Sequence, residues 1–260
     1  MNNVINTTDK TNSLKDINDI LSQTDSSSTT LIREIDFKDV RKKRQIDNDN
    51  KAFHSLRSND RNDFYKHINR TKFNECLKII TIDEVFIKCK NDDFVATLLS
   101  RNYSKTASRQ GAKDEELQLT TCDDICKEVN NGISINRLSS TALRPTRSGQ
   151  IVSKIEMGKQ SIPKADCLKS FDAQITGNLN GYVCAKVCYG PGGHQDNVYK
   201  EMDEYCEWWK DYKNDSEEIL VILIDTDLKE KLSHLKKKYV DINNIKIFNH
   251  IEFQKYLICI

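Results

Sequence analysis

Along the last third of the chain the hydrophobic spacing keeps changing, and each change marks an element. Residues 170–176 and 182–188 alternate apolar and polar positions, the period of a half-buried strand. Gly177-Asn178-Leu179-Asn180-Gly181 stands between them as a turn. Val198, Met202, Tyr205 and Trp209 then recur at helical intervals, predicting a helix from His194 to about Tyr212. Residues 219–224 are continuously apolar, as in a strand buried on both faces. A charged helix over 228–239, a short strand over 245–248 and a closing helix over 251–257 complete the series. Strand, strand, helix, strand, helix, strand, helix predicts an α/β fold, a mixed central sheet flanked by helices.

Upstream the pattern is less regular. Phe64, His67, Ile68 and Phe73 sit at roughly helical spacing, whereas Ile79-Ile80-Thr81-Ile82 and Val85-Phe86-Ile87 predict short strands, with a polar turn over 88–93. Residues 1–30 are rich in Asn, Ser, Thr and Asp and too poor in apolar side chains to offset their ordering entropy, which predicts a largely disordered polar arm. The expected organisation is this arm, a helical or mixed region over 31–100, and a core over 101–260.

Of the 260 residues, 37% are hydrophobic and 30% charged, and 40 Lys and Arg against 39 Asp and Glu leave a net charge of +1. The overall balance names no partner, so the distribution of charge has to. Arg41-Lys42-Lys43-Arg44 is a solvated helix face, a nuclear-localisation signal or a DNA contact. Arg101, Lys105, Arg109 and Lys113 follow one another without an acid, and between residues 129 and 165 six basic residues, including Arg144 and Arg147, face Glu156 alone. A basic, loop-rich centre in a neutral protein suits a groove for phosphates; ordinary surface is the plainer alternative. Nine scattered cysteines, an odd number, are expected as reduced thiols. No apolar run reaches the length of a membrane span and the start has no secretory pattern, so the expected place is the cytoplasm, or the nucleus of a eukaryotic host.

The predicted hairpin carries the chemistry. Alternation puts Tyr182, Cys184, Lys186 and Cys188 on one face and Val183, Ala185 and Val187 on the other. The turn then pairs Asp172 with Cys184 or Lys186, so that a carboxylate and an ammonium meet. Phosphodiester hydrolysis uses such a pair: the carboxylate holds a hard cation, which lowers the pKa of an attacking water, and the lysine offsets developing charge. A plain cross-strand ion pair would look the same. Cys184, Cys188 and His194 can also be read as the start of a zinc site, and Cys122 and Cys126 as two core thiols on a helix. Gly190-Pro191-Gly192-Gly193 before a helix can cradle a phosphate, but no Gly-Lys-Ser/Thr follows for a nucleotide loop.

Ser170-Phe171-Asp172 followed by Tyr182-Val183-Cys184-Ala185-Lys186 resembles the PD-(D/E)XK nuclease superfamily, which includes many type II restriction endonucleases, over roughly residues 160–257. The resemblance implies a restriction-endonuclease-like core, Mg²⁺ as cofactor and double-stranded DNA as substrate. It makes Asp172 the metal-binding aspartate, Lys186 the motif lysine and the Ala185 carbonyl part of the metal shell. Cys184 stands where the family has Asp or Glu, and a thiol is a poor ligand for a hard cation. Some members take this acid from the following helix, which offers Asp196, Glu201 and Glu204, with Glu201 placed beside the apolar stripe. Gln195 and Tyr199 resemble the Gln-x-x-x-Tyr signature of the RecB-like branch. Glu115 or Glu116, with Glu116 taken as the candidate, would be the first-helix glutamate. Arg101, Lys105, Arg109, Arg144, Arg147 and His194 would contact DNA, and a homodimer would match a palindromic target. The rival functions are a repair or recombination nuclease, a non-catalytic nucleic-acid-binding protein that keeps the fold, and a zinc-stabilised interaction protein.

Overall fold

A computed structural model describes residues 31–106, 111–139, 142–189 and 194–260, with His194 and Gln195 limited to their backbone. The polar arm over 1–30, Arg109 and the glycine-rich stretch over 190–193 lie outside the described residues. The chain divides into a helical unit, Asp36–Gly111, and an α/β unit made, among the described residues, of 31–35 together with Ala112–Ile260. No helix among the described residues is long and apolar enough to cross a membrane.

The helical unit consists of α1 (Phe37–Ser58), α2 (Arg61–His67), α3 (Arg70–Cys76), α4 (Ile82–Asn91) and α5 (Asp93–Tyr103). Its core gathers Leu56, Phe64, Ile68, Phe73, Val85, Phe86 and Cys89, with Phe64 edge-on to both Phe73 and Phe86. The two strands expected around residues 79–87 are not formed. Thr81 and Glu84 build a reciprocal capping box that starts α4, and its buried positions, Val85, Phe86 and Cys89, follow a helical rather than an alternating rhythm. Ile79 is left exposed. The turn expected over 88–93 is the last turn of α4 followed by Asp92, whose carboxylate accepts the N–H groups of Phe94 and Val95 to open α5.

The α/β unit runs α6 (Gly111–Val129), β1 (Ile133–Arg137), β2 (Leu143–Pro145), β3 (Ile151–Ser153), α7 (Lys154–Lys159), β4 (Ala173–Gly177), β5 (Gly181–Cys188), α8 (His194–Lys213), β6 (Ile219–Thr226), α9 (Lys229–Lys238), β7 (Ile245–Phe248) and α10 (His250–Cys259). The main sheet is mixed, in the order β1-β4-β5-β6-β7, with β1, β4 and β5 antiparallel and β5, β6 and β7 parallel. The short β2–β3 hairpin stands apart in what had been expected to be loop. The elements expected downstream of residue 170 all form, except that β4 begins at Ala173; Asp172 still donates its N–H to the Val183 carbonyl at 2.9 Å, while the Phe171 N–H turns to the Leu143 carbonyl.

Both faces of the sheet are covered. Tyr182, Cys184, Leu220, Ile222 and Ile224 pack with Met202, Tyr205, Cys206 and Trp209 of α8. On the opposite face Val183, Ala185, Val221 and Leu223 pack with Leu119, Cys122 and Cys126 of α6 and with Phe253 and Leu257 of α10. Alternation along β5 and β6 therefore sorts side chains between two apolar layers, and polar chemistry is left to the strand ends. The β4–β5 turn is sterically committed. Gly177 has φ +108°, and a Cβ there would overlap the carbonyl oxygen of Gly132, while one on Gly181 would overlap that of Ile219.

Candidate active site

Four elements bring one charged cluster together at the end of β5. The β4–β5 ladder pairs Ala173 with Val183 and goes no further along β5. Just past it, Asp172 turns its carboxylate onto the strand, and Oδ2 accepts the Ala185 N–H at 2.8 Å. Lys186, the next residue, places Nζ 3.3 Å from the same Oδ2 and donates to the Ala185 carbonyl oxygen at 2.8 Å. Glu115, on the first turns of α6, meets the same ammonium at 3.3 Å through Oε1. Glu201 of α8 lies close enough for its charge to act on Glu115, Asp172 and Lys186, and its carboxylate is held by the ammonium of Lys169.

The electrostatics follow from burial and from three carboxylates sharing the space. Burial pushes the Asp172 carboxyl above its usual range, against the lowering effect of Lys186 and of the Ala185 N–H. Burial raises Glu115 as well, with Lys186 opposing and the charges of Asp172 and Glu201 adding to the rise. For Lys186 burial disfavours the charge, but Asp172, Glu115 and Glu201 together override it and its pKa rises. The lysine is thus a fixed cation, and a donor rather than a base.

The expected carboxylate–ammonium pair is present, and Asp172 lies one residue beyond the last β4–β5 pair, Ala173 with Val183. Cys184 itself takes no part in the cluster. It is fully buried against α8, near Tyr205 and Cys206, and burial drives its thiol pKa well up. Of the adjacent glutamates it is Glu115 that faces Lys186, while Glu116 pairs with Arg137 at the surface at 2.6 Å. The buried positions of α6 are Asp114, Gln118, Leu119, Thr121, Cys122, Ile125 and Cys126, and Glu115, one turn before Leu119, lies on that side of the helix. Asp196 pairs with Lys231 in the open and Glu204 is exposed, which leaves Glu201 as the α8 acid nearest the cluster. Tyr199 donates to the Leu228 carbonyl at 3.3 Å. The side chains of Gln195 and His194 lie outside the described residues.

The basic residues are divided between the two units. Arg101 and Lys105 belong to the helical unit. Arg144 is buried in β2, so it presents no open cation, while Arg147 is exposed and its N–H donates to the Asp166 carbonyl. Lys169 was not anticipated, because nothing in the local pattern marks it.

Among the described residues, no three His, Cys, Asp or Glu side chains stand closely enough together to hold a metal, and the zinc reading falls partly outside them, because the His194 side chain is not described. The position between Asp172, Glu115 and the Ala185 carbonyl is taken by the Lys186 ammonium. The donors there are nevertheless all hard oxygens, with the one soft donor, Cys184, sequestered in the core. The residues therefore suit a cation such as Mg²⁺ in kind. Compared with protein-family models, curated protein sequences and solved structures, the chain matches none of them.

Proposed function

We propose that this protein is a Mg²⁺-dependent endonuclease that hydrolyses phosphodiester bonds in double-stranded DNA, of the type II restriction kind. The observation that carries the proposal is the meeting of Asp172 and Glu115 on the Lys186 ammonium near the end of β5, with the charge of Glu201 acting on all three. The order of antiparallel hairpin, helix and parallel strand supports the reading that the resemblance to PD-(D/E)XK nucleases suggests. Asp172 and Glu201, with the Ala185 carbonyl, would hold the cation. When bound, the cation would polarise the scissile phosphate and lower the pKa of a water.

Lys186 keeps its proton and can hold the attacking water or a phosphate oxygen by donation. Water adds to phosphorus, the bond to one ester oxygen breaks, and that oxygen leaves with a proton. Glu115 balances Lys186 and keeps its ammonium at the mouth of the cluster.

One observation favours a second function, a nucleic-acid-binding protein without cleavage. Lys186 and Lys169 already engage all three carboxylates, and the strand position of the motif acid is a buried thiol. Incubating plasmid and linear DNA with the protein, with and without Mg²⁺, and sequencing any ends separates the two. Mg²⁺-dependent ends lost in Asp172→Asn support the nuclease, and binding without ends supports its rival.

A further inference from the structure

The helical unit has a charge of its own. Residues 36–111 hold seventeen Lys and Arg against eleven Asp and Glu, a net +6 within a chain of net +1. Three of these cations meet at one cavity of ≈ 610 Å³, where Lys66, Arg70 and Lys105 are joined by Tyr65 and Asn69, and no carboxylate lines it among the described residues.

Backbone pairing holds this wall in place. Ile68 and Ser104 form an antiparallel bridge, Asn69 N–H donates to the Tyr103 carbonyl at 2.8 Å, and Lys105 N–H donates to the His67 carbonyl at 2.8 Å. The ends of α2 and α5 are thereby tied, and the Lys105 ammonium is brought onto the Lys66 carbonyl. Arg70 lies over the ring of Tyr65, 5.1 Å from its centre. A guanidinium held over a ring makes no hydrogen bond to it, and its fork of N–H groups suits a phosphate. The nearest acid on α2, Asp63, meets Lys66 and His67 only at 3.4 and 3.5 Å on the helix surface. Three exposed like charges at one cavity repel one another, and an anion placed among them removes that cost.

We infer that this cavity grips the phosphodiester backbone of a nucleic acid, with Arg70 taking a phosphate through two N–H groups and Lys66 and Lys105 neutralising its neighbours. The inference deepens the nuclease proposal by assigning a backbone grip outside the catalytic cluster. Its test runs without divalent cation, so binding and cleavage can fail separately.

The full chain in EDTA is titrated into a labelled DNA duplex of about twenty base pairs, with anisotropy read at several salt concentrations. Lys66→Gln, Arg70→Gln and Lys105→Gln should each weaken binding by about three- to tenfold and lower the salt slope by about one. The triple variant should lose about a hundredfold. Removing the same charge elsewhere on the unit, with Lys78→Gln, Lys88→Gln and Lys90→Gln together, should cost far less. Thermal melting checks folding, and if the triple variant does not fold the single variants decide. Unchanged affinity and slope in the cavity variants, or an equal loss in the control triple, overturns the assignment. So does equally tight binding of polyglutamate, which would point to an acidic protein instead.

Discussion

Asp172 Oδ2 accepts the Ala185 amide hydrogen at 2.8 Å, and the same oxygen stands 3.3 Å from the ammonium of Lys186. One atom therefore closes the backbone where the ladder ends and also anchors the lysine. Asp172→Asn keeps an acceptor for the amide, whereas Asp172→Ala leaves it buried and unpaired. Both variants should lose Mg²⁺-dependent cleavage. Denaturant unfolding should show the alanine variant less stable by about 1–3 kcal/mol and the asparagine variant closer to wild type. An asparagine variant that folds and still cuts would refute the metal-binding role.

The raised carboxyls give the cluster a signed pH dependence. A carboxyl whose folded pKa lies above its unfolded value stabilises the fold at low pH, and this is lost as pH rises through the raised value. Asp172 and Glu115 both behave this way. Wild-type stability relative to Asp172→Asn should therefore fall as pH climbs from about 4, the ordinary carboxylate range, towards neutrality. Lys186 acts with the same sign in a higher window: its contribution is complete below 10.5, its ordinary value, and is lost only above that. Urea midpoints for the two proteins across this range check the sign.

Lys186→Ala should lower the cleavage rate by about two to four orders of magnitude, the range for a positioned electrostatic group. Because Lys186 keeps its proton, no rise in rate with pH should trace to its deprotonation. A plain ion pair would give lower stability and an unchanged rate.

Glu201→Gln should be as damaging to cleavage as Asp172→Asn, while Cys184→Ala should leave the rate near wild type. The thiol lies in the core against α8, so its truncation costs stability, about 1–2 kcal/mol for a small buried group, rather than chemistry. Rates and melting temperatures of both variants distinguish the two effects. Loss of cutting in Cys184→Ala with a harmless Glu201→Gln would remove Glu201 from the mechanism.

A second buried network lies on the α6–α10 side of the sheet. Gln118 donates to Asp225 Oδ2 at 2.5 Å, Asp225 Oδ1 holds His250 Nδ1 at 2.7 Å, and His250 Nε2 accepts the Ile35 N–H at 2.9 Å. An imidazole that accepts at Nε2 must carry its single proton on Nδ1. His250→Ala should therefore destabilise the α/β unit by about 1–3 kcal/mol, since the buried Asp225 carboxylate loses one of its hydrogen-bond donors. Hydrogen exchange should also show the Ile35 amide losing protection. Wild-type protection in that variant would mean that the histidine does not hold the segment.

The sheet was legible from residue 170 onward because its elements differ in hydrophobic period, and Asp172 and Lys186 followed from alternation and turn length. The helical unit was harder, because Ile79, Ile80 and Ile82 are β-branched and carry strand character, while the Thr81–Glu84 capping box sits among them and starts a helix. Glu115 was distinguishable from Glu116 only once the buried stripe of α6 was laid out. Lys169, the clamp on Glu201, has no local signature, because its partner is brought to it by packing of α8. Arg144 carries the charge of a surface residue yet lies buried in a strand too short to be marked by alternation.

The glycine turn between β4 and β5 lies at the far end of the hairpin from Lys186. About three residues of paired strand, roughly 10 Å, separate it from the end of the ladder. Yet its length decides which residue of β5 lies opposite Asp172. Adding or removing one residue there would leave the side chains of the cluster unaltered in identity and would bring Asp172 against the wrong amide. The turn thus works as a ruler, and the steric walls around Gly177 and Gly181 keep its graduations from slipping. Loop insertions, tolerated at most surface turns, should here abolish activity from a distance.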